Sequence, residues 1–117
     1  MAEEDIVYID FNDGVKRVVN NVKLYVKLLT QFKTGFDIKM TELSTQLASG
    51  DMETAQVSAH TIKGASANLS LLELNRQVLE LETQIKARNV ASDQMGKVQA
   101  AFGETIREID KVIAQYA

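Results

Sequence analysis

Apolar residues recur every three or four positions along most of this 117-residue chain, the period of helices and not the two-residue period of strands. The longest stripe, Tyr25, Leu28, Phe32, Phe36, Met40, Leu43 and Leu47, predicts a long first helix from about Asn21 to Ala48. Residues 49–51, S-G-D, break the pattern, with Gly50 suited to end one helix and Asp51 to cap the next. A second helix over about 52–69 carries Met52, Ala55, Ala59, Ile62, Ser66 and Leu69, mostly small or aliphatic, so neighbours can approach it closely. Ser70 opens the run S-L-L-E, which has the form of a capping box with Glu73; Leu71, Leu74, Val78, Leu81 and Ile85 then predict a third helix to about Arg88. After N-V-A-S-D, the stripe Met95, Val98, Phe102, Ile106, Ile109, Ile113 and Tyr116 predicts a fourth from about Ser92. Ahead of all four, I-D-F-N-D-G-V-K-R-V-V predicts a short helix or turn within about 5–18, starting near Asn12 or Asp13 and closing one bundle end.

Breaks of only a few residues make consecutive helices antiparallel neighbours, and proline is absent. The expected fold is all-α: an antiparallel up-down-up-down four-helix bundle over about 21–116 with a short N-terminal capping helix, in a single domain spanning 1–117.

Composition narrows the function. Hydrophobic residues at 45% and charged residues at 25% are ordinary for a globular domain, and no apolar run approaches the roughly 20 residues a membrane helix needs. The start M-A-E-E-D-I-V-Y-I-D lacks the basic and apolar segments of a signal peptide, so a cytoplasmic location is expected, and the initiating Met favours a free-standing module. With no cysteine there is no disulfide, thiolate metal site or cysteine nucleophile. A net charge of -3 argues against a broad basic surface for nucleic acid and leaves a protein as the expected partner, met by a monomer.

The candidate chemistry sits on the second helix. His60, the only histidine, lies about 100° around from the apolar stripe, and Lys63, Gly64 and Ala67 follow it at i+3, i+4 and i+7 on one face. A neutral imidazole can attack phosphorus, a lysine one turn away can pair with phosphoryl oxygens, and two small residues let a large partner come down over the ring. A glycine inside a helix costs about 1 kcal/mol relative to alanine, so access to His60 is one reason to keep Gly64 there. Spacing alone leaves other readings open: a surface or hydrogen-bonded core histidine, a solvated lysine, and a glycine that permits a close helix crossing.

The run A-H-T-I-K-G-A-S-A-N-L at 59–69 resembles the A-H-x-[LI]-K-G signature of the histidine-containing phosphotransfer (HPt) domain family of multistep phosphorelays. Leu43 to Asp51 resembles the family's segment before the motif and the Leu81 and Glu82 pair its segment after, so the likeness covers roughly 12–116. It implies that His60 is the phosphoacceptor, Lys63 contacts the phosphoryl group, Gly64 gives clearance, and Glu82 orients the imidazole, where the residues alone also allow a solvated carboxylate. One departure stands out: the family commonly has glycine where this chain has Ser70, and a small residue in place of Leu71.

What the resemblance implies is a phosphocarrier more than an enzyme. It would relay phosphate between receiver domains of response regulators, with a hybrid sensor kinase among the partners. The chain has no G-x-x-x-x-G-K-[ST] loop, so no cofactor is expected on it, and Mg2+ is expected on the partner receiver. Two alternatives are a receiver-binding adaptor without phosphate turnover and a chemotaxis-type domain phosphorylated by a kinase. A di-metal bundle would need at least two histidines, and there is one.

Overall fold

Five helices follow one another without a strand among residues 6–116, which the structure, a computed structural model, describes. Residues 1–5 and 117 of the expected domain, residue 5 belonging also to the expected cap, lie outside the described residues. The helices are α1 (Phe11–Arg17), α2 (Val22–Ser49), α3 (Met52–Asn68), α4 (Leu72–Lys86) and α5 (Gln94–Tyr116). Helices α2 to α5 form a closed ring in which each packs on the next and α5 returns to α2, while α1 rests on α2. Asn75 meets Ser66 and Glu82 meets His60, the rising-against-falling order of an antiparallel α3 and α4.

The caps explain most boundaries. Asn21 and Asp51 accept hydrogen bonds from the amides of Leu24 and Thr54, and Gly50 closes α2 in the left-handed conformation at φ +80°. Helix α1 is capped by Asp10, which accepts from the Asp13 amide at 3.1 Å, so it begins before the expected Asn12 or Asp13. Helix α4 stops at Lys86, because Arg88 turns left-handed at φ +56°, and α5 starts at Gln94 instead of Ser92. Along α2 the inward face runs through Tyr25, Leu29 and Phe32; Leu29 is fully buried and Leu28 only half-buried. Tyr116 is exposed, with its ring stacked on Phe11.

The expected capping box at Ser70 does not form. Ser70 has φ +57° and closes α3: its amide donates to Ala67 O and the Leu71 amide to Ser66 O, the two bonds of a Schellman turn. Helix α4 is instead capped by Leu71 without a side-chain bond, and Glu73 turns to Arg76 and Gln77. Left-handed backbone costs a non-glycine residue roughly 1–2 kcal/mol, which explains why glycine suits this position. The serine hydroxyl offsets part of that cost by donating to Asp13 Oδ2 at 2.6 Å, tying α1 to the turn. The Ser70 bond, with help from Arg17, holds the Asp13 carboxyl below its ordinary value.

A second tie sets the position of α1. The Tyr25 ring is fully buried, its hydroxyl donates to Leu69 O at 2.5 Å, and burial pushes its phenol up. Gly14 lies flat against that ring, so a Cβ there would overlap Cζ, Cε1 and Oη of Tyr25. Gly14→Ala is therefore expected to destabilise the protein by about 1–3 kcal/mol in thermal unfolding, although alanine is the better helix former. A stabilised variant would contradict this packing.

Candidate functional site

Helix α3 presents two faces, and the site lies on the outer one. Ala55, Ala59, Ile62 and Ser66 are fully buried, which turns His60 outward with 69% of its side chain exposed. Two turns of α4 then decide what stands beside it. Asn75 donates to Lys63 O at 3.0 Å and to Ser66 Oγ at 3.2 Å, fixing the register of α4 on α3. Seven residues later on the same face, Glu82 arrives under His60 and Lys63.

Glu82 is the centre of the arrangement. Its side chain is 3% exposed; Oε2 lies 3.2 Å from His60 Nδ1 and 3.7 Å from Lys86 Nζ, and Oε1 lies 2.7 Å from Lys63 Nζ. The Lys63 contact is an ion pair without hydrogen-bond alignment, so Oε1 is buried with a countercharge but no directional donor. Burial pushes the carboxyl up; Lys63 first, then His60 and Lys86, outweigh it and hold Glu82 below its ordinary value. A carboxyl held low stabilises the fold above its unfolded value and loses that contribution as pH falls through the lowered one, so the cluster is intact at neutral pH.

The ionised carboxylate fixes the imidazole tautomer. It can only accept, so the ring nitrogen facing it, Nδ1, carries the proton, and in the neutral ring Nε2 keeps its lone pair. Gly64, one turn on, has no heavy atom within 4 Å of where its Cβ would stand, which excludes a close helix crossing there and leaves open space beside the ring. Ala67 is exposed on the same face.

His60, Lys63 and Glu82 thus meet, with Gly64 and Ala67 flanking them. Sequence reasoning missed Lys86 and Asn75. Lys86 had a signal, being four residues after Glu82 on a helix, and Asn75 is a polar residue flanked by the apolar stripe of α4. A concavity of about 840 Å3 between α4 and α5 and an apolar groove of about 560 Å3 between α2 and α3 both leave out His60, Lys63 and Gly64. Small-molecule sites are usually concave, so an exposed ring outside both concavities fits a macromolecular partner. Among the described residues no three His, Asp or Glu side chains gather as a metal site, and no helix is long and apolar enough to cross a membrane.

The helical ring thus displays one exposed histidine over a buried carboxylate. The Hpt domain family profile matches residues 27–115, and the chain belongs to that family, whose members are phosphotransfer modules of phosphorelays. In fold it is similar to the HPT domain from the Hpt sensor hybrid histidine kinase from Shewanella: TM-score 0.82 at 15% identity, covering 94% of this chain and 97% of that one. No curated protein matches the sequence significantly.

Proposed function

We propose that this chain, as a monomeric, cytoplasmic, antiparallel up-down-up-down bundle capped by α1, accepts a phosphoryl group on His60 from a receiver domain's phosphoaspartate and relays it to another receiver. The observation that carries this reading is a largely exposed imidazole whose Nδ1 is engaged by a buried carboxylate, one turn from the bare Gly64. The Nε2 lone pair attacks phosphorus in line; the N–P bond forms as the bond from phosphorus to the aspartyl oxygen breaks, and that electron pair leaves on the receiver's carboxylate. The ring becomes an imidazolium, and Glu82 steadies the positive charge by keeping its hydrogen bond to Nδ1–H. Transfer onward is the reverse, with a second aspartate as nucleophile and Nε2 as leaving group.

Lys63 supplies charge to the phosphoryl oxygens, and Gly64 and Ala67 admit the receiver. The receiver contributes its own Mg2+ and most of the electrostatic stabilisation, which leaves this chain a carrier. Lys63→Ala is expected to slow transfer or shorten the phosphohistidine lifetime several-fold without abolishing acceptance, since it takes one charge from the phosphoryl group and from Glu82, which Lys86 still faces, while the nucleophile stays. Single-turnover transfer and decay of the label measure this; unchanged values would leave Lys63 only its pairing with Glu82.

The reading itself is tested by incubating the chain with a radiolabelled, phosphorylated receiver and then with a second, unlabelled one. The expected result is acid-labile, base-stable label that reaches this chain and moves on. Receiver binding with no label transferred would leave the bundle an adaptor.

A further inference from the structure

Lys63 is asked to be in two places. In the structure it neutralises a carboxylate that is 3% exposed, whereas the proposed reaction needs its charge on the phosphoryl group. Withdrawing the only partner of a buried charge is costly, so a lone Glu82–Lys63 pair would resist the exchange. Glu82 is not limited to that pair. Lys86, 56% exposed and one turn further along α4, stands 3.7 Å from the other carboxylate oxygen, near enough to hold the charge and loose enough to close in.

We propose that Lys86 is a positioning residue that takes over as the countercharge of Glu82 when Lys63 turns to the phosphoryl group on His60. This rests on the phosphotransfer reading of His60. The two ammonium groups come from different helices and lie against different oxygens, so one can leave without the other crossing its path. The charges also balance better with two. At rest two ammonium groups face one carboxylate, and a phosphoryl group adds roughly two negative charges, so each anionic centre then keeps a cation of its own. Without Lys86, Glu82 would be left facing only the phosphoimidazolium, whose positive charge is already offset by the phosphoryl group it carries.

The test uses the full chain phosphorylated with phosphoramidate, a donor too small to dock on Lys86, with formation and decay of the phosphohistidine followed by 31P NMR. Lys86→Gln is expected to shorten the phosphohistidine lifetime or slow loading several-fold, and Lys86→Arg to restore both. In a Glu82→Gln background, where no buried charge needs a partner, Lys86→Gln should have no further effect. Circular dichroism on each variant checks the fold, which a half-exposed lysine and an isosteric amide should leave intact. An unchanged lifetime and loading rate in Lys86→Gln overturns the proposal, and so does an effect that persists in full in Glu82→Gln, since Lys86 would then act on the phosphoryl group directly. Failure of the unsubstituted chain to take phosphate on His60 overturns the phosphotransfer reading and this proposal with it.

Discussion

His60→Gln should accept no phosphate and should fold as well as the parent. The imidazole carries the only ring nitrogen of its kind in the chain, and a glutamine amide at the same place has no lone pair basic enough to attack phosphorus. Stability should hardly move, because 69% of the side chain is exposed and the fully buried residues of α3 are Ala55, Ala59, Ile62 and Ser66. Glu82 loses one partner but keeps the two lysines, so no buried charge is stranded. Surface changes of this kind usually fall within about 0.5 kcal/mol. Label transfer from a phosphorylated receiver and thermal unfolding are the two measurements. Substantial label on the variant would remove His60 from the mechanism.

Gly64 should divide size from stability. A Cβ at this position meets no heavy atom within 4 Å, so Gly64→Ala is expected to stabilise α3 by up to about 1 kcal/mol, the helix-propensity difference without a packing penalty. Gly64→Gln should also fold, yet its side chain would stand one turn from His60 in the space the receiver has to enter. In-line transfer needs reacting atoms about 3 to 3.5 Å apart, and a displacement of about 1 Å can cost on the order of a hundredfold in rate. The expected outcome is a folded Gly64→Gln protein with transfer lowered by that order or more, alongside a Gly64→Ala protein of raised stability. Normal transfer in Gly64→Gln would end the access argument, and unfolding would make the glycine a packing device.

What the chain states locally, it states well. The stripes of α2 to α5, the break at Gly50 and Asp51 and the single face holding His60, Lys63 and Gly64 depend on neighbours within a turn or two, so the spacing of residues carries them. The errors arose where distant contacts decided. S-L-L-E meets every local condition of a capping box, but Ser70 is drawn into a left-handed turn whose hydroxyl partner is Asp13, 57 residues away in sequence. Leu28 and Leu29 are equally apolar and lie three and four residues after Tyr25, so spacing does not choose between them, and the packing of the whole bundle turns Leu29 inward. Among the site residues, Glu82 was legible only through family resemblance, since its burial is produced by the docking of α4. Asn75 and Lys86 act across or along that same interface. Neither spacing nor composition says which helix face will meet which, so their part in the site required the fold.

The central claim is chemical: phosphate on Nε2 of His60, with Nδ1 protonated and held by Glu82. It is tested most directly by phosphorylating the chain with 15N-labelled imidazole in place and reading the 31P–15N coupling. The account predicts a coupling to Nε2 of His60 and a proton retained on Nδ1. Phosphorus coupled to Nδ1, or found on any other residue, would contradict it.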